Sequence, residues 1–288
     1  MEYNIKYFVF VCNLILLKFR RYKAAGGKKI PLPLEVRWNS ITDCLRGYLG
    51  NWTKLLVVCA EHQDDIDKDI VKLVKDDYLK QSTQDYLNRM KPIAIALDRM
   101  QRTNCTIADA VDIWKDLKGA LQPHLDNAMM KSVDSRINAN LTADHYTAYL
   151  LTPKYQGEHL DENELDKVYE HLVNIDESFI PITMKYQAKT APFNSFRFVD
   201  GAVNGIHPLS WWKLIPSISS AFSRYITGLL TAINSSASIE RVFSSFGLVH
   251  SRIRNRLGIE KAGKLVFIFR ILNTGIISAE ADNEEICM

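Results

Sequence analysis

The sequence predicts a mainly α-helical chain, and three observations carry that reading. Apolar residues recur at three- and four-residue intervals over long proline-free stretches. Polar capping pairs stand at the heads of several of these stretches, and very few segments alternate as a strand would. The 288 residues are 47% hydrophobic and 24% charged, enough apolar material for a sizeable core in one large or two ordinary domains. Lys plus Arg number 36 against 33 Asp plus Glu, so attraction to nucleic acid has to come from local clustering, not from overall charge.

In chain order, the run from Tyr7 to Leu17 is apolar except for Asn13. It is short of the ~20 residues a membrane helix needs and lacks a basic segment ahead of it. It reads as a buried strand or helix, or as a misplaced start of the coding sequence, and no membrane partner is expected. Pro31 and Pro33 forbid helix between Lys28 and Val36, which reads as extended chain. From Ser40 to Cys59, Ile41, Cys44, Leu45, Tyr48, Leu49, Trp52, Leu55, Leu56 and Cys59 keep helical spacing and predict one long amphipathic helix. Residues 62–90 are charge-dense, yet Ile66, Ile70, Leu73 and Val74 hold the spacing of a solvated helix. Asp64, Asp65, Asp67 and Asp69 then complement the dipole of its first turns, and the glycine and terminal Glu of a calcium loop are missing.

Thr106 followed by Asp109 opens a helix that carries Ile107, Ala110, Val111, Trp114, Leu117 and Leu121 and closes at Pro123, which makes Trp114 a core residue. Thr142 starts a helix through Leu151 that Pro153 ends, and Asp161 with Glu164 caps the run Leu165, Val168, Tyr169, Leu172, Ile175. Between Lys189 and Pro208 the apolar period is lost among Pro192, Gly201, Gly205 and Pro208, predicting a loop. Beyond it come Leu209–Lys213, a helix from Pro216 to Ile233, a serine-framed segment from Ser235 to Gly247 with Glu240 as its one acid, and a last helix from Ile259 to Leu272.

Cys12, Cys44, Cys59, Cys105 and Cys287 form no CxxC pair and are odd in number, which argues against both a zinc ribbon and a disulfide framework. Cys59 and His62 share a helical face, but no second pair at finger spacing follows, so a buried Cys beside a surface His is the plainer reading. No metal site is expected.

In the last helix, Leu265-Val266-Phe267-Ile268-Phe269 is apolar on every face, more than one partner helix covers. From pattern alone, burial inside the chain and contact with another subunit stand level. Arg252, Arg254 and Arg256, with His250, Lys261 and Lys264 nearby, fit either salt-sensitive phosphate contact or a solvated basic loop. Glu240, close behind Ser235, Ser236 and Ser238, suits a helix amino terminus, where its charge favours the dipole.

Three blocks, Leu34-Glu35-Val36-Arg37-Trp38-Asn39-Ser40, His207-Pro208-Leu209-Ser210-Trp211-Trp212-Lys213 and Ser236-Ala237-Ser238-Ile239-Glu240-Arg241-Val242-Phe243-Ser244, resemble in order and spacing the transposases of the hAT superfamily and the host proteins derived from them. Lys91–Asp98 and Thr106–Ala110 resemble that family's helical region as well, so the resemblance runs from about residue 18 to residue 273.

The resemblance implies a ribonuclease-H-like catalytic core interrupted by a large helical insertion, with three acids binding two divalent metal ions for strand cleavage and transfer. Glu240 matches the last of those acids, and Arg37 with Trp38 matches a pair whose tryptophan stabilises a flipped base near the cleavage site. The first two acids lie upstream of the Arg-Trp block in the family. Here 36 residues precede Arg37, with Glu2 and Glu35 as their acids and no aspartate. The expected architecture is therefore the helical insertion domain of a hAT transposase joined to the carboxy-terminal helices of an incomplete ribonuclease-H-like core.

The expected divisions are an apolar and extended segment over 1–35, an insertion-like region over 36–190, a linker over 191–207, a dimerisation region over 208–275 and a disordered tail over 276–288. The expected function is that of a non-catalytic, truncated transposase that mediates dimerisation, with weak DNA contact through Arg37, Trp38, Arg252, Arg254 and Arg256. Val242, Phe243, Phe246, Leu265, Phe267, Ile268, Phe269 and Leu272 are the expected interface, formed with a second copy or a related hAT protein. Glu240 is a vestigial match to the catalytic acid. No cofactor is expected, Mg2+ entering only in a complete transposase, and the family implies a nuclear location. The alternative is a fragment of an active transposase that cuts and joins DNA when its missing core is supplied.

Overall fold

In the computed structural model of the chain, residues 30–31, 39–61, 64, 66–216, 218–249 and 258–284 are described, without the side chains of 248, 249, 270 and 273–284. Arg37, Trp38, His62, Arg252, Arg254 and Arg256 lie outside the described residues. The helices are α1 (Asn39–Glu61), α2 (Lys68–Val74), α3 (Asp77–Met100), α4 (Ile107–Leu121), α5 (Asn127–Asn140), α6 (Ala143–Leu151), α7 (Glu162–Ile175), α8 (Phe179–Gln187), α9 (Asp200–Val203), α10 (Pro208–Lys213), α11 (Ser220–Thr231), α12 (Ala237–Val249) and α13 (Ile259–Glu284). Among the described residues there is no strand, and the only β-pairing is an isolated antiparallel bridge between Thr106 and Ile233. The mainly helical expectation is met.

Two compact units divide the chain: Met1–Arg99, Val111–Tyr146 and His159–Leu165 form one, and Met100–Ala110, Thr147–Glu158 and Asp166–Met288 the other. In the first unit, α1 presents the face its sequence spacing requires. Cys44, Tyr48, Leu55, Val58 and Cys59 are buried with Ile30, Ile66 and Val74. Trp52 at the margin of this cluster donates from Nε1 to the Val74 carbonyl at 3.1 Å. The Lys80 ammonium lies 3.8 Å from the Trp52 ring centroid, a cation–π contact.

The solvated helix expected over 62–90 is two helices, because two aspartates compete for the backbone. The Asp67 side chain accepts from the Asp69 amide and caps α2, and Asp76 Oδ1 accepts from the Leu79 amide at 3.0 Å within the first turn of α3. Arg99 near the end of α3 reaches Asp112 at 2.9 Å and Asp116 at 2.6 Å on α4. This doubly held guanidinium lines a cavity of about 420 Å³ with Pro92, Ile95, Ile113 and Leu117. Its charge is already matched within the helix pair.

The capping boxes form as the spacing predicts. The Thr106 amide donates to Asp109 Oδ2 at 2.8 Å while the Asp109 amide donates to Thr106 Oγ1 at 3.2 Å. Asp161 and Glu164 exchange the equivalent pair at 3.0 and 2.9 Å. At Thr142 the third-position partner is His145, whose Nδ1 accepts from the Thr142 amide at 3.2 Å. Trp114, expected in the core, is only half-buried, while Ile113 and Leu117 on the same helix are buried.

In the second unit the core is aromatic. Trp212 stacks on Tyr186, with ring centroids 5.1 Å apart, and meets Phe193, Phe222 and Trp211 edge-on. Its indole nitrogen donates to the Leu151 carbonyl at 2.8 Å, and that of Trp211 to the Arg197 carbonyl at 3.0 Å, so both polar tips are satisfied. The loop expected over 189–208 holds a 3-10 turn at Ser195–Phe198 and α9. Phe193 and Phe198 from this stretch pack edge-on against Tyr186. α8 ends in a Schellman turn, the Thr190 amide bonding Lys185 O and the Lys189 amide bonding Tyr186 O. Lys189 there takes φ 52°, where glycine is usual.

A candidate dimerisation surface

The segment leading into α12 is tied down by bonds from far along the chain. The Ile107 amide donates to Ala232 O at 3.1 Å and the Asn234 amide to Cys105 O at 3.0 Å. Ser235 Oγ donates to Met100 O at 3.3 Å, and the Arg241 guanidinium donates to Gln101 O. Arg241, adjacent to Glu240, is thus committed to a backbone carbonyl.

At the head of α12, Ser236 O accepts from the amides of Ile239 and Glu240, both at 2.9 Å. Ser236 Oγ donates to Glu240 Oε1 at 2.5 Å. Glu240 is exposed and lies in the first turn of the helix, where a carboxylate complements the unpaired amides. Among the described residues no group of three or more His, Cys, Asp or Glu side chains could hold a metal ion together. Cys44, Cys59 and Cys105 are buried and not disulfide-bonded, and burial pushes the Cys44 thiol up to about 11, which keeps it protonated and inert.

α12 packs along α13. On α13 the buried positions are Ala262 and Val266, one helical turn apart. The other large apolar residues among its described side chains are exposed. Phe267 is 67% exposed, Leu272 64%, Ile268 51% and Leu265 43%, with Phe269 also exposed. On α12, Phe243 is 69% exposed, whereas Val242 and Phe246 are half-buried. Of the Leu265–Phe269 run, Val266 is buried inside the chain and its four neighbours are exposed.

Ile239 and Ile271, also more than half exposed, were not among the expected interface residues. Ile239 stands one turn before Phe243 and Ile271 one turn after Phe267, so a helical projection extended by one turn finds them. The Glu260–Lys264 ion pair at the start of α13, 2.7 Å long, is held by side chains 83% and 72% exposed and adds little stability.

A helical protein that buries an aromatic core yet leaves this much large apolar surface on two packed helices is built for assembly. Residues 186–272 match the hAT family C-terminal dimerisation region; the carboxy-terminal part of the chain is hAT transposase-like. No curated protein matches the chain. Among the described residues no helix is long and apolar enough to cross a membrane.

Proposed function

We propose that the protein is a non-catalytic, hAT transposase-derived chain that pairs with a second copy through α12 and α13 and touches DNA weakly. The exposure of Phe243, Phe267, Ile268 and Leu272 inside the matched dimerisation region carries this reading. Each large apolar side chain left in water forgoes roughly 1.5–3 kcal/mol, and a partner surface recovers it.

The non-catalytic part rests on Glu240. Two-metal strand transfer needs several carboxylates converging on ions about 4 Å apart, and the described acid nearest in role accepts a hydrogen bond from the Ser236 hydroxyl in the first turn of α12. In this reading Arg37, Trp38, Arg252, Arg254 and Arg256 supply sequence-independent, salt-sensitive phosphate contact, and the protein works in the nucleus. Size-exclusion chromatography with light scattering, run at tens of micromolar, is expected to show an assembled species, and a strict monomer would sink the proposal. In a strand-transfer assay with magnesium or manganese no product is expected. Product that disappears in Glu240→Gln would overturn the non-catalytic assignment.

A further inference from the structure

The cavity of about 420 Å³ between α3 and α4 lies wholly within the first unit, and its charges are unevenly spread. At one end two carboxylates, Asp112 and Asp116, face the single guanidinium of Arg99. Lys91 stands eight residues before Arg99, and His124 eight after Asp116. At ~1.5 Å per helical residue, Lys91 is ~12 Å along α3 from the ion-paired end. Lys91 and His124 line the cavity and are exposed, and neither side chain has a hydrogen-bond or ion-pair partner among the described residues. Asn88 joins them in the lining. Its Oδ1 accepts from Gln84 Nε2 at 2.9 Å, which leaves the Asn88 Nδ2 hydrogens to donate. The rest of the lining is largely apolar, with Pro92, Ile95, Ile113 and Leu117, and Ile95 is 48% exposed.

Donors gathered at one end, carboxylates at the other and an apolar wall suit a ligand with one anionic head and an apolar body. Its head is drawn to Lys91 and repelled by Asp112 and Asp116, which fixes its direction. The cavity falls within the roughly 300–1,000 Å³ of small-molecule sites, which favours a small amphiphile over a protein segment. We infer that the cavity between α3 and α4 binds a small amphipathic anion such as an aliphatic carboxylate, its head on Lys91, His124 and Asn88 and its body along Ile95 and Leu117. The site is independent of the proposed pairing surface, whose residues lie in the second unit.

Decanoate is the probe, titrated below its micelle concentration into the full chain by isothermal calorimetry, with decyltrimethylammonium as the same body under the opposite head. Isoleucine-methyl NMR reports whether the Ile95 signal moves. Decanoate is expected to saturate at one site per chain, to shift the Ile95 signal and to bind about tenfold more tightly than the cation. Replacing both exposed side chains, Lys91→Gln with His124→Gln, is expected to lower decanoate affinity about tenfold, with circular dichroism confirming retained helix. Equal affinity for the two amphiphiles, or for the unaltered chain and the double variant, overturns the inference. So does binding that leaves the Ile95 signal in place, or binding lost in Phe267→Ser, which puts the amphiphile on α13 instead. Absence of saturable binding overturns it as well, and an assembled species that Ile95→Ser then breaks up marks the cavity as a contact between copies.

Discussion

Around Trp212 and along α13 the same kind of residue meets opposite surroundings. Tyr186, Phe193, Trp212 and Phe222 are each buried and ring-packed, and the indole N–H has its carbonyl. Phe243 and Phe267 are two-thirds exposed on a packed helix pair whose buried α13 positions are Ala262 and Val266. Both regions lie inside the matched dimerisation region. The contrast separates two placements of hydrophobic residues: the aromatic cluster is packed inside the chain, while the helix pair leaves apolar area exposed within the matched dimerisation region.

Breaking the first region has the largest expected effect. Trp212→Ala opens a cavity among four rings and strands the Leu151 carbonyl, and it is expected to lower unfolding free energy by about 3–5 kcal/mol in a denaturant titration. The surface should behave in the reverse way. Phe243→Ser is expected to weaken self-association about tenfold or more in equilibrium sedimentation, while the unfolding of the dissociated chain moves by less than about 0.5 kcal/mol. An equal loss of stability in both variants would erase the distinction.

A smaller effect comes from the first unit. Burial lowers the His145 pKa below 6.5, opposed by nearby Asp144, and neutral Nδ1 accepts the Thr142 amide. The folded state therefore prefers the neutral ring. The cap's contribution is full above the ordinary histidine pKa and is lost as pH falls through the depressed folded value. Thermal melts at falling pH should show the unaltered chain losing about 0.5–1 kcal/mol that His145→Gln, which keeps a third-position acceptor, retains. Equal losses in the two proteins would discard the histidine cap as the cause.

What could be read from the sequence was what is decided within one helical turn. The Thr106–Asp109 and Asp161–Glu164 boxes pair residues three apart, and α1 and α4 begin and end within a residue or two of where spacing and capping put them. The break before α3 was hidden because Asp76 looks like one more charge in a charged helix until its carboxylate takes the Leu79 amide. The short helical turns between 195 and 203 were hidden because aromatic packing onto Tyr186 holds part of that stretch, with little help from periodicity. α13 continues beyond Leu272 to Glu284, into the stretch expected as a tail, with no apolar period to announce it. The exposed apolar surface was legible in residue type and only half legible in direction. Knowing that Leu265–Phe269 is apolar all round does not say which side α12 takes, and Val266 settled that.

The bonds that fasten Met100–Ile107 to Ala232–Arg241 also bear on how the chain is made. Ser235 and Met100 are 135 positions apart, and Arg241 and Gln101 140. At roughly 5–20 residues per second, a ribosome adds that much chain in roughly seven to thirty seconds. Throughout that interval the Met100–Ile107 half of the contact has no mate. These contacts therefore form late, once Ala232–Arg241 has been made.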